Sequence, residues 1–468
     1  MSLQLALSNA LSGLRATQQQ TALLTHNISN ATTTGYVRKD LDLSASISGG
    51  RGAGVRVDGI GRRVDELLIR DARFEQSRYT AQEARASVLA DYTTALGQPQ
   101  DERSVSTALS KLQQAFSQLR DQSDNDAAQA AVVDKAEALV RRLNDTAAAA
   151  TTAQADARGR LQASVDQVNS ALSRISDLNG AIARQSAMGA DTSDLRDQRD
   201  LLLDRVSEEI GIRTYTRESG EVVVMTRNGQ TLLDRELAPG EKPLQIVGTK
   251  LMAGGKVISA DPDQEIQTGR IMGYTQVAFQ DMPRALQQLD ELAAGIVQQF
   301  QAAEADPAQP GLFTDAGAAY DPTADLAGFA SRIAVNGDVR ANAWKVQSGV
   351  QAAAPLAPGD QTQIDRFLGV FTATRPFTAA DMPANATLGD YATSMVSTQQ
   401  GYRTNAEAEM KTRKISADTL QNARINRDGV NIDDEMQKLL LIEQSYGASA
   451  QVIQAAGRML DTLLQIRN

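Results

Sequence analysis

The sequence predicts a mainly α, elongated, multi-domain protein: N- and C-terminal helices paired as a coiled coil, and a helical bundle with a small β subdomain inserted. Three observations predict it. Apolar residues fall at alternating steps of three and four at both ends of the chain. Long stretches between the ends keep a helical period with few breaks, and between residues 211 and 273 the period drops to two. Aromatic residues make up only 4% of the 468, which suits long helices with thin seams better than one thick core. The expected division is 1–60 with 429–468 as the terminal coiled coil and its extended connector, 61–210 with 274–428 as the bundle, and 211–273 as the β-rich part.

The first helix is expected from about Ser2 to about Asn30, on the seam Leu3, Leu7, Ala10, Leu14, Thr17, Thr21, Leu24 and Ile28, and it ends where Ala31 to Gly35 break the period. Tyr36 to Asp58 alternates loosely around Gly49, Gly50, Gly52 and Gly54 and reads as an extended connector with short strands. Those glycines make no dinucleotide loop, because valines occupy the third glycine's place. Helix resumes from Val64 to about Ala95, with Leu67, Phe74, Ala81, Val88 and Ala95 at seven-residue steps. Further seams follow: Val105 to Leu119, Val132 to Leu143 and Leu161 to Ile182, with breaks at 97–99 and 123–126. This is the pattern of a bundle.

A helix from about Asp194 to Ile210 leads into short strands. Asn228-Gly229 marks a hairpin turn, and further strands are expected at 244–247, 256–259 and 269–272. Helix returns with Met282, Leu286, Leu289, Ala293, Ile296 and Phe300. Residues 306–383 are rich in Pro, Gly and Ala and read as irregular, apart from a strand at 333–336 and a short helix at 363–372. A polar helix from about Leu388 to Arg427 precedes the last one.

That last helix carries Leu439, Ile442, Tyr446, Ser449, Ile453, Ala456, Leu460 and Leu463 at coiled-coil spacing. Asn431 can cap its first turn, and Asp433, Asp434 and Glu435 suit the positive end of its dipole. Loop-closure entropy grows only logarithmically, so the two ends can pair within one molecule. Such a pair can also stay loose until neighbouring chains bury it.

Net charge is −10, with Lys and Arg scattered, so no basic footprint offers itself to nucleic acid or to an anionic membrane. The absence of cysteine excludes disulfides and thiolate chemistry. No apolar run approaches the roughly 20 residues of a membrane span, and no cleavable signal is legible, so export would take another route. His26 is the sole histidine and cannot anchor a zinc or triad site alone. Asp191, Asp194, Asp197 and Asp200 alternate with Arg196 and Arg199, which reads as a capped, solvated, self-paired helix face. Gly255-Lys256 lacks the other residues of a phosphate loop, and Trp344 reads as packing. No catalytic group, cofactor or metal is expected.

Asn30-Ala31-Thr32-Thr33-Thr34-Gly35-Tyr36 follows a helix containing Ala10-Leu11-Ser12-Gly13-Leu14. The chain then closes with Gly429 to Glu435, Gln444-Ser445-Tyr446-Gly447-Ala448-Ser449-Ala450 and Asp461-Thr462-Leu463-Leu464. The pair of ends resembles the flagellar rod, hook and hook-associated axial proteins, although Thr34 stands where that family usually has proline. Asp197 to Leu203 ahead of Gly211 and the Asn228-Gly229 hairpin, with the long helical block, resembles the junction subunits between hook and filament. The resemblance implies a non-enzymatic structural subunit that lies outside the cell and is exported through the flagellar type III apparatus with a chaperone. It implies self-association into a ring or helical layer through the terminal seams, with Asn30, Gly35, Tyr36 and Asn431 as motif residues. Hook protein and hook-associated protein 3 are the implied neighbours. Other axial subunits, and a cell-wall hydrolase delivered by the same route, are the alternatives.

Overall fold

A computed structural model describes residues 3–48, 51–258 and 268–466. The chain begins with α1 (Leu3–Ser29), a hairpin of β1 (Lys39–Ser48) and β2 (Arg51–Arg62), then α2 (Glu66–Leu96), α3 (Val105–Asp121), α4 (Asp126–Ala187) and α5 (Ser193–Glu209). Six short strands follow: β3 (Ile212–Thr216), β4 (Val222–Thr226), β5 (Thr231–Leu233), β6 (Leu244–Val247), β7 (Lys250–Ala253) and β8 (Lys256–Ile258). Next, α6 (Arg270–Gln276) passes through a π turn into α7 (Met282–Ala302). Short elements come after: β9 (Phe313–Asp315), α8 (Phe329–Arg332), β10 (Ile333–Val335), α9 (Gly337–Ala341), α10 (Lys345–Ser348), α11 (Thr362–Thr372), β11 (Arg375–Pro376) and β12 (Asn385–Ala386). The long helices α12 (Leu388–Asp428) and α13 (Ile432–Ile466) close it. The mainly α class expected from the sequence holds.

The chain forms two compact units: Met1–Tyr79, Val165–Gly269 and Arg413–Asn468 in one, Thr80–Ser164 and Arg270–Thr412 in the other. Periodicity sorts residues by element type and not by partner. The small sheets, α5 and both terminal helices therefore share a unit that the sequence pattern splits between three.

In the first unit, β3–β4–β5 and β6–β7–β8 are antiparallel sheets. Two asparagines of α4 tie them down. The Asn169 amide donates to Leu244 O (2.7 Å) and accepts from Leu244 N, and Asn179 holds Val222 in the same reciprocal way. Behind them Val165, Val168, Leu172, Ile175 and Ile182 are buried, as their seam predicts. Asn228-Gly229 does turn the chain, with Gly229 at φ +85° donating to Thr226 O.

The second unit is built around α7, which buries most of its surface. Phe300 stacks on Phe116 and packs against Phe313, Phe367 and Phe371 edge-on or tilted, with ring centroids 5.0–6.0 Å apart. Residues 306–383, expected as an irregular segment, supply much of this core: Phe313, Phe329, Val346 and Phe367 are fully buried. Their elements are too short, and too interrupted by Gly and Pro, to display a period.

Other expectations are corrected. The 36–58 connector is a long hairpin with ten paired positions and two irregularities of register. The two seams at 132–143 and 161–182 lie on one unbroken helix of 62 residues. Residues 270–272 are helical rather than a strand, and Lys250–Ala253 is a strand the pattern missed. Ser259, the end of one expected strand, lies outside the described residues. On α2, Leu67 and Ala95 are exposed, while Ile69, Leu89, Tyr92 and Leu96 are buried. A straight helix drifts by about 20° per heptad, so a seven-residue stripe walks off the core face over four repeats.

One buried carboxylate in the second unit makes stability pH-dependent. Glu304 is 4% exposed, and both its oxygens lie within hydrogen-bond reach of Val350 N. Burial pushes its pKa up to about 7, against the opposing pull of Val350 N–H, Lys345 and Arg366. A folded pKa above the unfolded one means that the native state holds the extra proton. The stability it contributes is therefore full below the unfolded value and is lost as pH rises through about 7. Thermal unfolding should show the protein less stable at pH 7.5 than at pH 5 by about 1–3 kcal/mol from this group. Glu304→Gln, which keeps an acceptor for Val350, should flatten that slope.

Candidate assembly surface

The terminal helices pack against one another in an antiparallel pair. Asn27 of α1 bonds Glu435 at the start of α13, and Gly13 lies against Ser449, so residue numbers run in opposite directions along the contact. Asn431 caps α13, its Oδ1 accepting from Asp433 N at 2.9 Å. Of the expected seam, Leu24 is buried, whereas Leu7, Leu14, Ile28, Leu439, Ile442 and Ile453 are half-buried. Tyr446 and Leu460 are exposed at 43% and 41%. The side chains of Leu3 and Leu463 lie outside the described residues.

Among the described residues of α13, the one fully buried apolar side chain is Ala456. Ile432, Met436, Leu440, Leu441, Val452 and Met459 are exposed, forming apolar surface beyond the predicted seam. The seam reading missed them because it selects one stripe of a helix, whereas α13 is apolar on more than one side. The signal was there in the run Lys438-Leu439-Leu440-Leu441-Ile442, too apolar for a helix facing one partner.

The β1–β2 hairpin lies along α1. Gly54 (φ +106°) approaches so closely that a Cβ there would stand 2.0 Å from Ser12 Oγ, which instead accepts from Val55 N. Gly35 is constrained likewise: φ is +78°, and a Cβ would fall 2.4 Å from Leu201 on α5. Asn30 stops α1 by donating to His26 O, and its Oδ1 accepts from Thr33. The motif residues thus make the sharp turn from α1 into the hairpin.

Beneath that turn is a polar knot invisible to periodicity. Asn27 is fully buried; its amide donates to Lys39 O and to Glu435 Oε2, both at 2.9 Å, while its Oδ1 accepts from Tyr36 O–H and Lys39 N. Exposed His26 meets Tyr36 O–H through Nδ1, so the sole histidine is a surface partner of the motif tyrosine. Burial, then Asp194, Asp197 and Glu435, push the Tyr36 phenol well above its ordinary pKa, and it stays a donor. Glu435, read from the sequence as a dipole residue, is 0% exposed and also pairs with Lys438 at 2.7 Å.

The aspartate run of α5 is not the self-paired, solvated face expected. Lys39, 2% exposed at its side chain, reaches Asp194 and Asp197. Arg62 pairs with Asp197 at 2.8 Å and hydrogen-bonds Asp200, and Arg73 of α2 bonds Asp204 at 2.6 Å. Burial opposes charge on Asp200, but Arg73 and Arg62 outweigh it and hold the carboxyl below the usual range. Arg199 turns inward to Asn179 Oδ1 and Gly220 O, and burial pulls its pKa down to about 10. Sequence spacing shows which charges share a helix; it does not show that the hairpin and α2 bring better partners. Among the described residues no group of three or more His, Cys, Asp or Glu is placed to hold a metal ion, and no helix is long and apolar enough to cross a membrane.

Two family models match: the flagellar hook-associated protein FlgK helical domain over residues 91–308, and the flagellar basal body rod FlgEFG protein C-terminal region over residues 421–466. Helical block and closing helix thus each match a model of flagellar axial proteins, in line with the resemblance of the two ends. Within that class the chain is similar to flagellar hook-associated protein 1. It is 26% identical to that protein of Escherichia coli over 63% of this chain, and spans 56% of that relative's length. It is 23% identical to the one of Bacillus subtilis over 98% of this chain and 97% of the relative. A solved structure of the flagellar hook junction protein FlgK from Burkholderia pseudomallei aligns with a TM-score of 0.44 at 21% identity, covering 53% of this chain and 46% of that one.

Proposed function

We propose that this chain is a structural axial subunit of the bacterial flagellum that joins hook to filament as hook-associated protein 1, with no catalytic activity. Supporting this above all is α13: a 35-residue helix, paired with α1, that among its described residues still leaves eight large apolar side chains in water. Such surface calls for neighbouring copies. In this reading the seam residues Leu3, Leu7, Leu14, Leu24, Ile28, Leu439, Ile442, Tyr446, Ile453, Leu460 and Leu463 close a ring or helical layer. Hook protein lies on one side of it and hook-associated protein 3 on the other. The subunit reaches its extracellular place through the type III export apparatus, escorted by a chaperone.

Immunogold labelling of isolated hooks with attached filaments tests the location. One band of label at the hook–filament boundary is expected. Label along the whole hook, the rod or the filament would instead make this another axial subunit.

A further inference from the structure

Two arginines gather around one ring in the first unit, and a third lies near one of them. Phe74 of α2 carries the guanidinium of Arg227 over its face at 3.7 Å and that of Arg78 at 5.4 Å. Arg213 of β3 pairs in register with Met225, and Arg227 lies two residues beyond Met225, on the same side of the alternating chain. Burial, followed by Arg213 and Arg78, pulls the Arg227 pKa below its ordinary value, against the weaker opposing pull of Glu75. Like charges near one another disfavour each other's charged form. Arg78 is compensated by Glu75 at 2.8 Å. Among the described residues, no carboxylate or carbonyl receives the guanidinium of Arg213 or Arg227.

These two arginines line a groove of about 760 Å³ between α2 and β3, together with the apolar Leu67, Ile69, Phe74 and Ile212. A guanidinium resting on an aromatic face keeps its edge N–H groups free to fork a carboxylate. We propose that this groove docks a carboxylate-rich segment of a partner protein, with Arg227 and Arg213 as its anchors. The complementarity is local. Glu66 and Asp71 line the same groove, Asp71 already paired with Arg70, and the chain as a whole carries −10. A continuous polyanion such as nucleic acid would be repelled beyond the groove, whereas a short acidic segment fits within it.

Fluorescence anisotropy of labelled octaglutamate with the full chain tests this. Saturable binding that weakens as salt rises is expected, reduced at least ten-fold by Arg227→Gln and by Arg213→Gln. Arg15→Gln, an exposed arginine of α1, should leave it unchanged. Arg213 is exposed on its strand, so its variant reports even if Arg227→Gln unfolds. Absence of saturable binding, or equal loss in Arg15→Gln, overturns the proposal. Displacement by inorganic phosphate at equal charge concentration would mark a small-anion site, and tighter binding of oligothymidylate a nucleic-acid site; either result overturns it.

Discussion

Cells carrying Ile453→Asp should build hooks, leak flagellin into the medium and fail to swim. Ile453 lies one helical turn beyond Ser449, which faces Gly13 of α1, and is itself half-buried. A carboxylate there must be desolvated between two apolar helix faces or take up a proton, at a cost of several kcal/mol either way. That exceeds what a thin pair of helices gains from burial, at about 25 cal/mol per Å², so assembly fails. Folding elsewhere should not change, because among the described residues α13 contributes one buried apolar side chain and the core of the second unit is built on α7. Thermal unfolding of the soluble variant should therefore match the parent. Gln454 is exposed, and Gln454→Asp should be tolerated. Normal swimming by the Ile453 variant, or unfolding of the core with it, would refute the separation of assembly surface from folding core.

What could be read in advance follows from which physical signal each element carries. Seams such as Val105, Leu109, Leu112, Phe116 and Leu119 were legible because a helix buried on one face must repeat every 3.6 residues, and all five are buried. The hairpin at 39–62 shows in the sequence only as an extended connector with short strands over 36–58, because its glycines weaken the alternation. Gly54 is there for close approach to Ser12, a property of the partner and not of the strand. The 306–383 segment hid a core for a related reason: Phe313, Phe329 and Phe367 sit on elements of three, four and eleven residues. At the candidate surface the termini announced themselves by spacing and motif, but the residues joining them did not. Asn27, Lys39 and Glu435 are polar residues whose partners lie up to 408 positions away, and no local pattern encodes such a distance.

That knot sets the second large effect. Asn27→Leu keeps roughly the side-chain volume and removes four hydrogen bonds at once: to Lys39 O, Lys39 N, Glu435 and Tyr36 O–H. The Lys39 backbone groups lose the partner they have on α1, and among the described residues a fully buried Glu435 side chain keeps only Lys438. Stranding buried groups costs about 1–3 kcal/mol each, and more when one is charged. A loss of order 3–5 kcal/mol in the docking of α13 on α1 and the hairpin is therefore expected. Hydrogen exchange should rise sharply across the first turns of α13 and along β1, while α7 and its aromatic cluster keep their protection. A double-mutant cycle isolates the cause. With Glu435→Met already present, the carboxylate no longer needs the amide, and Asn27→Leu should cost at least 1 kcal/mol less than in the parent. Additive losses, or unchanged exchange in α13, would mean that the terminal helices are held by their apolar seam alone.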